Sequence, residues 1–201
     1  MGKTVYLIRH GITEGLEKNL FYGWIDYPIT ENGFKELEQF KDEKIYPAVD
    51  FSCCRVYTSG MTRTNQTLNT IYGDVPFTEV RDLMEINFGD WEGKDYMDLS
   101  NHKEWDMWMN DTTGDFRFPN GETTNEFNTR ITRGMDMIIS ELVESDNPCA
   151  VVVFHGGVTA TLMQMWFPEE GRYFNQWTPK PGRGYTIRLD DCGKPESYEA
   201  I

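Results

Sequence analysis

An α/β fold, with a mostly parallel central sheet covered by helices on both faces, is what the sequence predicts, and three observations predict it. Short β-branched and apolar runs alternate with segments whose apolar residues recur every three or four positions, which reads as strand and helix in turn. One run, Ala150 to Phe154 (AVVVF), has no polar member and suits a strand buried on both faces. The chain has 201 residues, 39% of them hydrophobic and 14% aromatic, enough for one substantial core, so 1–201 is read as a single domain.

Thr4–Ile8 (TVYLI) is the first strand, stopping at Arg9-His10-Gly11. Thr30 caps a helix carrying Phe34, Leu37 and Phe40, and Pro47 ends it. Phe51–Thr58 reads as the second strand and Met61–Tyr72 as a helix closed by Gly73. A short strand at Phe77–Val80 precedes a loop, Leu83–Gly93. The segment 94–118, with Leu99, Trp105, Trp108 and Met109 at loosely helical spacings, is predicted to be a helical cap insert over the sheet. Its Trp and Phe side chains could roof a site or pack on one another. Glu122–Leu142 is the longest helical pattern, marked by Phe127, Ile131, Met135, Ile138 and Leu142. The buried strand Ala150–Phe154 ends in His155-Gly156-Gly157, Val158–Phe167 is a helix stopped by Pro168, and Gly184–Leu189 is the expected final strand. The stretch Pro168–Pro181 reads as a short loop.

Nineteen Lys and Arg against 33 Asp and Glu leave a formal charge of −14, which repels nucleic acid and anionic lipid. No apolar run approaches the ~20 residues that span a bilayer, and the N-terminal run is too brief for a signal-peptide core, so a cytoplasmic location is expected. Cys53, Cys54, Cys149 and Cys192 lack CxxC spacing and are read as reduced, with no zinc site signalled.

Two predicted strands end in His-Gly. In a parallel sheet both ends open on one edge, so His10 and His155 converge there with Arg9. A single histidine in such a place is most often an ordinary loop residue; a matched pair changes that balance. Arg63, one turn into the helix after the second strand, adds a second guanidinium and a helix N-terminus to the same edge. That combination suits a phosphate, because a planar guanidinium fork meets two phosphate oxygens at once. Glu85 stands among Leu83, Met84, Ile86, Phe88 and Trp91, neighbours that keep water from a carboxylate and suit it to protonate a leaving alkoxide. His102 matches no pattern and reads as solvated.

Leu7–Thr13 (LIRHGIT) resembles the Arg-His-Gly signature of the histidine phosphatase superfamily, branch 1, the phosphoglycerate mutase-like group. Four further blocks agree in order: Gly23–Gly33, Tyr57–Thr67, Leu83–Gly93 and Val152–Gly157. The resemblance runs from Thr4 to about Leu189. It implies a three-layer αβα sandwich and a phosphohistidine mechanism in which His10 is the nucleophile, Glu85 the proton donor, and Arg9, Arg63 and a protonated or donating His155 hold the phosphoryl group. Gly11, Thr13 and Gly156 join the substrate-binding set, with Gly121-Glu122-Thr123 at its edge; no metal and no cofactor is called for. Two positions depart from the family pattern. Leu16 replaces an Asn, removing a phosphate-side hydrogen bond, and Gly60 replaces a Pro, which is expected to loosen the backbone and leave Arg63 free to reach the site.

The expected function is hydrolysis of a small phosphorylated metabolite by a metal-independent phosphatase-type member. The alternatives are a phosphoglycerate mutase-type isomerase and a catalytically silent phospho-ligand or protein-binding module; the intact His10, Arg63, Glu85 and His155 set argues against silence. The expected partners are the phosphorylated substrate and, at most, a second copy in a homodimer, with neither nucleic acid nor membrane.

Overall fold

The computed structural model describes residues 2–201. In chain order the elements are β1 (Lys3–Arg9), α1 (Glu14–Glu17), β2 (Leu20–Phe21), α2 (Glu31–Asp42), β3 (Cys54–Thr58), α3 (Thr62–Tyr72) and β4 (Thr78–Glu79). There follow β5 (Lys94–Asp95), α4 (Tyr96–Ser100), α5 (Lys103–Met109), α6 (Thr124–Glu144), β6 (Cys149–Phe154), α7 (Gly156–Trp166), α8 (Phe174–Trp177), β7 (Gly184–Leu189) and β8 (Pro195–Ala200). Six strands form the central sheet in the order β4-β3-β6-β1-β7-β8. The pairs β4/β3, β3/β6 and β6/β1 are parallel, while β7 runs antiparallel to both β1 and β8.

Side chains alternate across a strand, and β6 shows why it has no polar member. Ala150, Val152 and Phe154 enter one core with Val5 and Leu7 of β1 and with Phe127, Ile131 and Met135 of α6. Val151 and Val153 enter the other with Ile8, Val56, Leu37 of α2, and Leu68 and Ile71 of α3. Each such aliphatic side chain gains about 2 kcal/mol by leaving water, so both faces of the sheet must be covered and the three-layer sandwich follows.

The helix starts are local decisions of the sequence. The Thr30 hydroxyl accepts the Gly33 N–H at the start of α2, and Thr123 and Glu126 form a reciprocal capping box at the start of α6.

The structure corrects several expectations. Gly184–Leu189 is not the final strand: β8 pairs antiparallel beside it. Its sequence PESYEA is polar because it forms the sheet edge, where a strand needs no apolar alternation on both faces. The strands expected at Phe51–Thr58 and Phe77–Val80 shorten to β3 and β4. Segment 94–118 is only partly helical, with α4 and α5 preceded by β5, which pairs with β2, and the remainder irregular. The supposed loop Pro168–Pro181 contains a 3₁₀ turn at Pro168–Glu170 and α8.

The cap packs on itself. Trp105 stacks on Trp91 at a centroid distance of 5.9 Å and meets Phe21, Tyr96 and Trp108 edge-on. Trp105 and Phe118 are buried within this aromatic cluster, which is continuous with the main core. Met97, Met107 and Met109 face solvent instead. Among the described residues, no helix is long and apolar enough to cross a membrane.

Register fixes what happens at the strand ends. Arg9 stands opposite Phe154 in the β1/β6 ladder, and the His10 N–H donates to the Phe154 carbonyl at 2.9 Å. The next residue along β6 is His155, so the two His-Gly turns emerge side by side.

Candidate active site

His10 and His155 lie edge to face with ring centroids 5.3 Å apart, both buried. His10 Nδ1 is 2.8 Å from the carbonyl of Gly11. A carbonyl only accepts, so Nδ1 carries the proton and Nε2 keeps its lone pair. Burial, then the charges of Arg63 and Arg9, push the His10 pKa well below the usual imidazole range. The ring is therefore neutral at neutral pH, with a free nitrogen beside two guanidinium groups.

His155 is neutral for the same reasons: burial first, then Arg63 and His10. Its Nδ1 accepts from Arg63 Nε at 3.4 Å, which leaves the proton on Nε2 to donate to Ser59 Oγ at 2.9 Å. Both ring nitrogens of His155 thus have protein partners in this geometry, and the donated proton goes to Ser59 rather than to a phosphoryl group. Ser59 itself was missed, since nothing in the sequence joins a serine to a histidine 96 positions away.

Arg63 is fully buried. Besides His155 it donates to the carbonyls of Gly23 at 2.6 Å and Ile25 at 3.0 Å, lies 3.5 Å from Asp26, and sits under the Tyr22 ring. The expectation that Gly60 leaves Arg63 free is thereby corrected. Gly60 has φ +82°, which a proline cannot adopt, and the guanidinium is held by protein acceptors on several sides. At the N-terminus of α3, expected to face the same edge, the first N–H group is engaged: Thr62 N donates to Asp26 Oδ2 at 2.8 Å.

Arg9 donates through Nη1 to the Pro179 carbonyl at 2.7 Å, while its buried Nε has no partner among the described residues. An unpartnered buried donor is costly unless an anion completes it. Gly156 makes room for this group, because a Cβ there would lie 2.9 Å from Arg9 Nε. Gly157 does the same for Glu85, whose Oε1 would be 2.4 Å from an added Cβ and whose Oε2 accepts the Gly157 N–H at 2.8 Å. The His-Gly-Gly sequence thus lets an arginine and a carboxylate approach the first turn of α7.

The apolar neighbours of Glu85 divide their work. Leu83, Ile86 and Trp91 turn into the core, and the carboxylate faces α7. The loop behind it is pinned by Arg130, which donates to the carbonyls of Asp82, Met84 and Glu85 and pairs with Glu122 at 2.5 Å. Glu122, expected at the substrate edge, acts here on the backbone, and also accepts the Asn87 N–H. Thr123 caps α6. Arg130 was not found from sequence, where it is one arginine on a long amphipathic helix.

Two expected substrate contacts are engaged inside the protein. Gly11 donates its N–H to Thr67 Oγ and offers its carbonyl to His10. Thr13 bonds Tyr22 Oη and accepts the Leu16 N–H at the start of α1. Leu16 is half-buried in α1. His102 is exposed at the start of α5. The four cysteines are free, and among the described residues no group of three or more His, Cys, Asp or Glu side chains is placed to hold a metal ion.

A three-layer α/β protein with a neutral histidine whose Nε2 lone pair is free, a second histidine and two arginines at adjacent strand ends has the groups needed to bind a phosphoryl group. Residues 5–195 match the sequence pattern of the histidine phosphatase superfamily (branch 1), and the chain belongs to that family. It is 37% identical over 98 residues to phosphoglycerate mutase 1 of Saccharomyces cerevisiae, covering 44% of this chain and 37% of that protein. It is 29% identical over 164 residues to the adenosylcobalamin/alpha-ribazole phosphatase of Salmonella typhimurium, covering 79% of this chain and 77% of that protein. The fold matches a crystal structure from Escherichia coli, provisionally named an alpha-ribazole-5′-P phosphatase, with TM-score 0.84 and 23% identity over 100% of this chain and 96% of that one. A phosphoglycerate mutase from Bacillus anthracis matches with TM-score 0.77 and 22% identity over 100% of this chain and 92% of that one.

Proposed function

We propose that the chain hydrolyses phosphomonoesters of small metabolites through a phosphohistidine on His10. The observation that carries this reading is the His10 ring: neutral, its Nδ1 proton committed to Gly11, its Nε2 lone pair free beside Arg9 and Arg63. Nε2 attacks phosphorus as the ester P–O bond breaks, and Glu85, as the general acid, delivers a proton to the departing alkoxide. Water then attacks phosphorus, Glu85 takes up a proton from it, and the P–N electron pair returns to Nε2. Arg9, through its unpartnered Nε, and Arg63 supply positive charge to the phosphoryl oxygens, the part a divalent metal plays in other phosphoryl-transfer sites.

Wild-type protein mixed with substrate and quenched in base should carry an acid-labile phosphoryl group, and His10→Ala should lose both that label and turnover. EDTA should leave the rate unchanged. Undiminished turnover in His10→Ala would sink the mechanism. A second reading, a mutase that returns the phosphoryl group to its bound product, is favoured by the similarity to yeast phosphoglycerate mutase 1; it uses the same residues and is separated from hydrolysis by products.

A further inference from the structure

The segment Tyr22–Asp26 is held down almost everywhere except at two side chains. The carbonyls of Gly23 and Ile25 accept from Arg63, the N–H groups of Trp24 and Ile25 both donate to Glu92, and Asp26 accepts the Thr62 N–H. Gly23 lies so close to Ile86 that a Cβ there would stand 1.7 Å from its carbonyl oxygen. On this rigid strap the Trp24 side chain is 46% exposed and that of Ile25 38%. Trp24 Nε1 donates to the backbone carbonyl of Glu85 at 3.0 Å, so the indole is tied to the backbone of the residue assigned to protonate the leaving group. Elsewhere in the molecule Trp side chains such as Trp91, Trp105 and Trp177 are buried. The indole is thus kept in water on a backbone bonded to Arg63 and tied to the backbone of Glu85.

We propose that Trp24, with Ile25 beside it, is a specificity-determining platform for a planar, apolar ring carried on the leaving alcohol of the substrate. The inference rests on the hydrolase reading and adds its substrate class: monoesters whose alcohol bears an aromatic ring are preferred to aliphatic ones of equal leaving-group strength. Ring stacking on an exposed indole suits this task because it is tolerant of ring identity and needs no buried polar partner.

The test uses two primary-alkyl monoesters, naphthylethyl phosphate and propyl phosphate, together with the corresponding non-hydrolysable phosphonates. Wild type should favour the naphthyl member roughly tenfold in kcat/KM and in phosphonate binding, the size of one stacking contact. Trp24→Ala should abolish the ratio, and Trp24→Phe, which keeps a ring but loses the Nε1–H, should restore most of it. Equal treatment of the two compounds by wild type would overturn the proposal. So would an equal loss on both in Trp24→Ala that Phe does not rescue, since Trp24 would then act only by positioning Glu85. Phosphonate binding separates the two readings: a naphthyl preference that depends on Trp24, without phosphate release from either ester, upholds the platform while refuting hydrolysis.

Discussion

Gly156 and Gly157 illustrate how little of a site needs side chains. Both are needed for the space they leave, one for Arg9 and one for Glu85. Gly156→Ala should therefore displace the Arg9 guanidinium without disturbing the core, lowering kcat/KM roughly a hundredfold, the order of a 1 Å misplacement, while thermal unfolding barely moves. A large loss of melting temperature with unchanged kinetics in the folded fraction would contradict this. Glu85→Gln should slow alkyl monoesters far more than p-nitrophenyl phosphate, whose leaving group departs without a proton; equal losses on both would remove Glu85 from the acid role. At this scale the sequence was most legible where residue type and strand end coincide. His10, Arg9 and His155 each follow an apolar run, and β1/β6 register brings those runs side by side. Ser59, Tyr22 and Arg130 were illegible because each meets its partner only after the chain has folded back, and a lone serine, tyrosine or helical arginine has many commoner uses.

Among the elements, α6 contributes both packing and the fixing of the Glu85 loop. Its inward stripe, Phe127, Ile131, Met135 and Ile138, was visible as a helical period. The Arg130 on its flank was not, although its guanidinium replaces the hydrogen bonds that three loop carbonyls would make to water. Arg130→Met leaves Glu122 unpaired at a mostly buried position, and should cost about 3 kcal/mol of stability in urea unfolding. The same variant should slow alkyl esters beyond any effect on p-nitrophenyl phosphate, because the loop it frees carries Glu85. An unaltered urea midpoint would show that the pair is dispensable. Strand β8 and the cap mark the limit of pattern reading at this scale. PESYEA lies at an open edge, where pairing is made by backbone and leaves no apolar signature. The cap's aromatic residues announced a hydrophobic body, but spacing alone left open whether they would face substrate or one another; here most of them meet in pairs around Trp91 and Trp105.

For the whole molecule, the two neutral histidines tie stability to pH. Both have folded-state pKa values well below the ordinary imidazole value that the unfolded chain adopts. Below about pH 6.5 the unfolded state thus binds more protons than the folded one. The stability these sites contribute is full above that pH and falls as pH drops beneath it, by up to ~1.4 kcal/mol per pH unit for each ring. Denaturant midpoints should accordingly decline from pH 7.5 to 5.5, less steeply in His10→Gln; an identical slope in the variant would contradict the assignment. A mutase must keep water from its phosphohistidine, and a hydrolase must not. Two segments could close over the strand ends, and both are tied down elsewhere. The cap is stacked into its own aromatic cluster with Trp91 and Phe118. The Pro168–Pro181 stretch is anchored by buried Trp177, which packs against Tyr185 and Tyr198 and carries the Arg172 guanidinium on its face. Closing either segment would pull buried rings into solvent, so water should reach the phosphoenzyme before a bound product reclaims the phosphoryl group. Incubated with 3-phosphoglycerate, with and without catalytic 2,3-bisphosphoglycerate, the protein should release inorganic phosphate faster than it forms 2-phosphoglycerate. The opposite order would make it a mutase working with the same His10, Arg63 and Glu85.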